Sequence, residues 1–458
     1  MDLQKIKNVY LLGIGGIGMS ALARYFHAAG KVVSGYDKTP TSLTNELVAE
    51  GIPVSFIDSI DQLPGKLQSG NADEFLIIYT PAIPKDHKQY NFFLSNAVEM
   101  YKRSVVLGWI TKQAFTIAVA GTHGKTTTSC IITHLLKSAG VNCTAFLGGI
   151  SANYNTNLIL GDVNAPDAVV VVEADEFDRS FLTLHPDIAV ITSMDADHLD
   201  IYGDKSHLED SFRLFAQQVK VGGHLFFKAG LPLNIEMPNQ HSYSITSTAA
   251  FSATEITIKN HQYIFNINTP SAVYSGWTSG MPGRHNVENA VVAVAVALEL
   301  GITPEKIREG LESFAGVKRR FEYQVQSEKC TYIDDYAHHP EELRAAISSV
   351  KELYSDKKIT GVFQPHLFSR TRDFVDGFAE SLSLLDSLLL LDIYPARELP
   401  MAGVTSQIIF DKVTIQDKEQ CTKEELLSIL GKRKPEVLLT LGAGDIDQLV
   451  QPIKKLLS

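Results

Sequence analysis

The chain has 458 residues, 45% of them hydrophobic and 20% charged, and 41 Lys+Arg against 52 Asp+Glu leave a net charge of −11. This is the composition of a globular protein with large cores, and its length has room for about three domains. The acidic balance, without a long Lys/Arg run, excludes a surface that tracks nucleic acid or an anionic membrane.

The N-terminal MDLQKIKNVYLLG lacks the apolar core and cleavage site of a signal peptide. No stretch further on reaches the roughly 18–20 apolar residues that cross a bilayer. From there the chain repeats one unit: a short apolar run rich in β-branched residues, a glycine- or acid-rich loop, then a segment of helical period. That alternation predicts α/β layers built on parallel sheets.

The first block spans Val9 to about Arg103. A strand Val9–Leu12 leads into Gly13-Ile14-Gly15-Gly16-Ile17-Gly18 and a helix from about Met19 to Ala29. Glycines there let backbone approach a diphosphate, and the helix N terminus favours its charge. A second strand at Lys31–Ser34 ends near Asp37, which stands where a ribose-binding acid would. Taken alone this loop reads as a dinucleotide oxidoreductase, or as a tight βα turn with no ligand. A third strand, Phe75–Tyr79, opens into a loop that begins at Thr80.

The second block begins with strand Phe115–Ala120, followed by Gly121-Thr122-His123-Gly124-Lys125-Thr126-Thr127 and a helix to about Ala139. Backbone amides can cradle phosphates, Lys125 can reach their oxygens, and Thr126 can hold Mg2+. Two residues separate the glycines where the usual phosphate loop has four, which points away from motor ATPases and GTPases. Strand Ala168–Val172 delivers Glu173, Asp175 and Glu176; strand Ile188–Thr192 delivers Asp195, Asp197, His198 and Asp200. Oxygen ligands suit Mg2+, and an imidazole beside them fits a second ion. The stretch from about His224 to Tyr274 alternates polar and apolar residues and predicts short antiparallel strands. A helix Val287–Leu300 follows, preceded by Arg284, His285 and Asn286 and carrying Asn289 in its first turn; this set could contact a base, or Asn286 could cap the helix.

The third block starts near Gly316 with the tri-basic Lys318-Arg319-Arg320. Strands are predicted at Thr331–Ile333, Ile359–Phe363, Ser387–Leu391 and Val437–Thr440. Asp334-Asp335-Tyr336-Ala337-His338-His339-Pro340 follows the first, and Gln364-Pro365-His366-Leu367-Phe368-Ser369-Arg370 the second. Ionisable chemistry at successive strand ends predicts a surface for a polyanion, with arginines stabilising a transferring phosphoryl group. The four cysteines, Cys130, Cys143, Cys330 and Cys421, show no metal-type spacing and read as thiols of a reducing, cytoplasmic compartment.

The motifs GIGGIGMS, GTHGKTTT, EADEFDRSF, DADHLD, GRHNVENA, RRFE, DDYAHHP, QPHLFSRTRDF and DIYPARE, in this order over essentially the whole chain, resemble the Mur ligase family. The resemblance implies three α/β domains. An N-terminal Rossmann-like domain (1–105) would bind the UDP moiety, a central ATPase domain of P-loop type (106–315) would bind ATP, and a C-terminal Rossmann-like domain (316–458) would close over the site. It implies an ATP- and Mg2+-dependent amide ligase of peptidoglycan precursor synthesis, with UDP-N-acetylmuramate and L-alanine as substrates. No nucleic acid or membrane insertion is implied, and the oligomer would be a monomer or weak homodimer.

Carried over by residue, Gly15, Gly16, Ile17, Gly18, Asp37, Thr80 and Arg179 would serve the sugar nucleotide, and Gly121–Thr127 would hold ATP. Thr126 and Glu173 would take one Mg2+ and His198 the other. His285 and Asn289 would approach adenine; Arg319 and Asp334 would lie near phosphates and ribose. Tyr336, His338, His339 and Arg370 would line the amino-acid and acyl-phosphate end. Lys125, His198, Arg319, His339 and Arg370 would be catalytic. Two departures stand out: Leu367 replaces an arginine that many relatives carry after Gln-Pro-His, and no lysine lies between Ser206 and Gln218, where several members carry a carbamylated one. Rival readings are a recycling ligase that attaches a tripeptide to the same sugar nucleotide, an NAD-dependent oxidoreductase, and a non-catalytic nucleotide-binding regulator.

Overall fold

A computed structural model describes residues 3–69, 72, 74–195, 202, 204–396 and 398–458, with the backbone alone at 178. The chain packs as two compact units. The first comprises 1–150, 154–243 and 292–307; the second comprises 151–153, 244–291 and 308–458.

The first unit holds two sheets. In one, β1 (Asn8–Leu12), β2 (Val32–Tyr36), β3 (Val54–Ser55), β4 (Phe75–Tyr79) and β5 (Met100–Lys102) lie parallel in the order β3-β2-β1-β4-β5. The order reverses beside β1, so the crevice for a ligand opens at its carboxyl end, where the first glycine loop stands. The second sheet is built from β6 (Phe115–Ala120), β7 (Cys143–Ser151), β8 (Thr156–Ile159), β9 (Val169–Ala174), β10 (Ile188–Ile191), β11 (His224–Lys228) and β12 (Gln240–Ser244). Within this unit the order is β12-β11-β10-β6-β9-β7-β8. Here β6 lies between β10 and β9, both parallel to it, and the phosphate loop emerges at its end.

These strands read as unbroken apolar runs because helices cover both faces, as parallel sheets require. Ile117, Ala118, Val119, Ala120, Val171 and Val172 are fully buried. One apolar cluster runs through both sheets of the unit, from Val9 and Leu11 to Phe212, Phe215 and Leu225.

The second unit contains an antiparallel meander, β13 (Phe251–Lys259), β14 (Gln262–Asn268) and β15 (Val273–Thr278). It also contains a six-stranded sheet in the order β16-β17-β21-β18-β19-β20. These strands are β16 (Glu322–Gln326), β17 (Thr331–Asp335), β18 (Ile359–Phe363), β19 (Ser387–Leu390), β20 (Lys418–Gln420) and β21 (Val437–Leu441), with only β16 antiparallel to its neighbour. Adjacent β17, β21 and β18 bring the loops that follow them to one edge.

Three sequence expectations need correction. The stretch from His224 is not antiparallel throughout: β11 and β12 are parallel to β10, and antiparallel pairing starts only at β13. Leu225 and Phe226 are fully buried, as in the interior of a parallel sheet, and the polar residues between them and β13 masked this. Strand β9 continues through Ala174, in register with Ala120, so Glu173 sits inside the strand opposite Val119. The helix expected from Val287 begins at Arg284, directly after Gly283 at φ +105°.

Candidate active site

The phosphate loop is shaped by glycine and by hydroxyls from the next strand end. Gly121 has φ +137°, and a Cβ there would collide with Thr192 Oγ1. Gly124, at φ +83°, caps the helix Lys125–Ser138 and turns its free amides toward the loop. Ser193 Oγ accepts from His123 N at 2.6 Å and lies 2.9 Å from Thr122 Oγ1, which accepts from Asp195 N at 3.0 Å. Thr192 Oγ1 donates to His123 O. Nothing in the sequence pattern marked Thr192 or Ser193; they matter because β10 is the neighbour of β6.

Lys125 Nζ donates to Gly121 O at 2.6 Å and to both Glu176 oxygens at 2.8 and 2.7 Å. Burial pushes its pKa down, but Glu176, Glu173 and Asp175 outweigh that and hold it above the ordinary lysine range. Glu173 faces another way: its Oε1 accepts from Thr126 Oγ1 at 3.0 Å and its Oε2 from Gly148 N at 2.9 Å. A Cβ at Gly148 would strike that carboxylate. The three acids after β9 are thereby sorted. Glu176 is the lysine's counter-ion, Asp175 is exposed and accepts from Phe177 N at 3.1 Å, and Glu173 shares a site with Thr126. A hydroxyl beside a carboxylate at a helix N terminus, all oxygen and one residue from Lys125, fits Mg2+. His198, Asp197 and Asp200 lie outside the described residues.

Tyr202 OH donates to Glu176 O at 2.6 Å, and the Arg179 guanidinium stands 5.3 Å from the centre of the Tyr202 ring. Arg179 is therefore linked to the lysine's counter-ion through one aromatic ring.

At the first glycine loop, Asp37 Oδ2 accepts from Gly15 N at 2.7 Å, so this carboxylate folds onto the loop itself. Thr80 Cγ2 packs against Gly13, at φ +84°. Gly16 caps the helix Ile17–Ala28, and Ile17 is 64% exposed at its start. The sequence reading missed Arg103, whose guanidinium lies 3.0 Å from where a Gly18 Cβ would be. Burial pushes its pKa down, against the attraction of Asp175.

In the second unit, Arg319 Nε donates to Asp334 Oδ2 at 3.1 Å and its NH2 to Gly442 O at 2.7 Å. Asp334 is fully buried and also accepts from Thr440 Oγ1 at 2.6 Å; burial raises its pKa despite Arg319. Asp335 accepts from Phe321 N and Ala337 N, each at 2.7 Å, and burial pushes it up to about 6 against the pull of Arg320. Arg319 and Arg320 lie 5.3 and 5.0 Å from the centre of the Tyr336 ring, so the tri-basic run is only in part a solvated face.

The two adjacent histidines differ. His338 Nδ1 lies 3.0 Å from Tyr336 O and 3.2 Å from Glu342 Oε2, two acceptors, so Nδ1 donates and the neutral form of the ring has its lone pair at Nε2. His339 Nδ1 instead accepts from Glu341 N at 3.4 Å as the cap of the helix Pro340–Leu353, and its ring packs on Phe374. Arg370 is buried in the helix Phe368–Asp373, whose start is tied to the DIYPARE loop: Leu367 N donates to Tyr394 O at 2.9 Å, and Ser369 N to Glu398 Oε2 at 3.0 Å. Leu367 itself sits at φ +70°. His285 and Asn289 occupy one face of the helix Arg284–Glu299, and Asn289 Nδ2 lies 3.4 Å from Asn286 Oδ1, whose own amide donates to Pro282 O.

Family models match in chain order: "Mur ligase family, catalytic domain" over residues 8–115, "Mur ligase middle domain" over 119–297, and "Mur ligase, glutamate ligase domain" over 319–444. The chain is 50% identical to a UDP-N-acetylmuramate--L-alanine ligase of Flavobacterium johnsoniae, covering 100% of this chain and 99% of that one. It is 49% identical to the protein of the same name in Parabacteroides distasonis, covering 100% and 98%. Among solved structures it is similar to the UDP-N-acetylmuramate-alanine ligase of Thermotoga maritima, with TM-score 0.78, 26% identity and 98% of each chain covered. A murein peptide ligase of Psychrobacter arcticus shares the fold, with TM-score 0.65, 21% identity and 98% of each chain covered.

Proposed function

The chain belongs to the Mur ligase family, a three-domain α/β architecture, and on that premise we propose that it joins L-alanine to the lactyl carboxylate of UDP-N-acetylmuramate. ATP is converted to ADP and phosphate on the way. Identity of about half over the full length with ligases of that name supports the substrate pair. The observation that carries the chemistry is the sorting of acids around the phosphate loop: Glu176 on Lys125 and Glu173 on Thr126.

In this reading the sugar-nucleotide diphosphate meets the first glycine loop, near Arg103, and the domains are 1–105, 106–315 and 316–458. Thr126 and Glu173 hold one Mg2+ and His198 a second, and the ions bring charge neutralisation where two anions must meet. Lys125 exchanges its carboxylate partner for phosphate oxygens, at little desolvation cost because it is already charged and buried. His285 and Asn289 meet the adenine, and Arg319, oriented by Asp334, meets the phosphates. The lactyl carboxylate is phosphorylated, the amine attacks the acyl phosphate, and phosphate leaves. Arg370 supports the developing charge, and His338 takes the amine proton at Nε2, because its Nδ1–H is already held by a carbonyl and a carboxylate. His339, as a helix cap, positions that loop. In the same reading the enzyme works in the cytoplasm, as a monomer or weak homodimer; among the described residues no helix is long and apolar enough to cross a membrane.

The test is product mass. The protein is incubated with UDP-N-acetylmuramate, Mg·ATP and equal amounts of L-alanine and the L-Ala-D-Glu-diaminopimelate tripeptide. An ATP-dependent gain of one alanyl residue is expected; gain of the tripeptide would make this the recycling ligase, and no product from folded protein would overturn the reading.

A further inference from the structure

Away from the nucleotide machinery, the first unit gathers two imidazoles and a carboxylate from three elements far apart in sequence. His224 opens β11, and His241 lies in the parallel neighbour β12, where Phe226 is its register partner. His224 and His241 therefore point to one face of the sheet, two residues apart along it. Their rings lie 5.9 Å apart and nearly parallel, at 15°. Glu299, the last residue of the helix Arg284–Glu299, brings Oε1 to 3.2 Å from His224 Nε2. One ligand atom from each of the three residues falls within 4.8 Å of the others.

The strand directions separate this cluster from the phosphate loop. His224 is level with Ile188 and Ile117, so it lies toward the amino ends of parallel strands whose carboxyl ends carry the loop. The Nδ1 of His224 is buried without a hydrogen-bond partner among the described residues, and the ring is held by Glu299 at Nε2 and by stacking against His241 and Phe226. A tetrahedral ion with bonds of 2.0–2.1 Å needs ligand atoms about 3.4 Å apart, within reach by small side-chain rotations.

We propose that His224, His241 and Glu299 form a binding site for a divalent transition metal of the zinc class, three-coordinate from protein with the fourth position open to water. Two imidazoles with one carboxylate select such an ion over Mg2+ or Ca2+, which prefer oxygen alone. Bound there, the ion ties the amino ends of β11 and β12 to the end of the helix, a cross-link independent of catalysis.

The experiment uses the full chain without an affinity tag, stripped with EDTA and kept in excess Mg2+ so that oxygen-ligand sites are filled. Co2+ is added and visible absorption recorded. One equivalent is expected to produce the intense bands of tetrahedral Co2+, displaced by Zn2+. In His241→Gln and His224→Gln the affinity is expected to fall on the order of 100-fold, since loss of an outer-shell partner alone costs 10–100-fold. ATP-dependent ligase activity in Mg2+, unchanged in both variants, reports that they are folded. Absence of a saturable band, or the same band at the same affinity in folded His241→Gln, would overturn the proposal.

Discussion

Replacing Glu176 by Gln tests whether one buried carboxylate holds the phosphate-loop lysine. Both of its oxygens lie within 2.8 Å of Lys125 Nζ. The Glu176 side chain is 1% exposed and that of Lys125 13%. Removing one partner of a buried pair costs about 3–5 kcal/mol, because the remaining charge is left uncompensated. Two features place this case at the low end: Lys125 keeps Gly121 O as an acceptor, and Glu173 and Asp175 still act on it. The expected loss is therefore about 3 kcal/mol. The chain has two tryptophans, and Trp109 packs on the core of the first unit while Trp277 lies in β15 of the second. In a Trp277→Phe background, urea unfolding read by Trp109 fluorescence should show a lower midpoint with an unchanged slope. Lys125→Met completes a double-mutant cycle, with coupling of about 1.5 kcal/mol or more. The folded pKa of Lys125 is raised, so the stabilisation is complete below the unfolded value near 10.4 and is lost only as pH rises through the folded one. The deficit in Glu176→Gln should thus be constant from neutral pH to about pH 9. An unfolding free energy read from Trp109 within about 0.5 kcal/mol of the parent, or an additive cycle, would refute the reasoning.

Three further outcomes follow from the same geometry. Ser193→Ala removes the acceptor of His123 N and should cost about 1–3 kcal/mol and lower kcat/KM for ATP about tenfold; unaltered ATP kinetics would show that the loop holds its shape without it. His338→Gln should lower alanine ligation on the order of 100-fold or more while hydroxylamine still traps the acyl phosphate; a parallel fall in hydroxamate would remove His338 from the proton-transfer step. Asp335 titrates near 6 when folded against 3.8 as its ordinary value, so the folded state binds the extra proton between them, and stability present below about pH 4 is lost as pH rises through 6. Relative to the parent, Asp335→Asn should gain up to about 3 kcal/mol between pH 4 and 7, read by Trp277; a flat difference curve would rule out a penalty at Asp335.

The sequence alone determined the α/β class, both glycine loops and the order of the acidic and cationic motifs. Those features are local. A glycine at φ +137° or a lysine one residue into a helix is written in neighbouring residues, and unbroken apolar runs announce strands buried on both faces. Arg319 with Asp334, and Thr126 with Glu173, were singled out through the ordered motifs that resemble the Mur ligase family; the hydrogen bonds that join each pair belong to the fold.

Tertiary structure decided what depends on strand neighbours. Only the placement of β10 against β6 brings Thr192 and Ser193 to the phosphate loop, and only the fold of the first unit sets Arg103 against Gly18. Residue type and spacing alone offered Glu173, Asp175 and Glu176 as one acidic cluster, from which the family resemblance picked Glu173; the direction each side chain takes after β9 made Glu176 a counter-ion, Asp175 a solvent-facing turn and Glu173 a metal candidate. His338 and His339 are likewise indistinguishable as letters. They diverge because the helix that starts at Pro340 claims the Nδ1 of one and leaves the Nε2 of the other as an acceptor. A residue type fixes which atoms are present, but which proton each atom carries and which partner it meets are set by contacts between segments far apart in the chain.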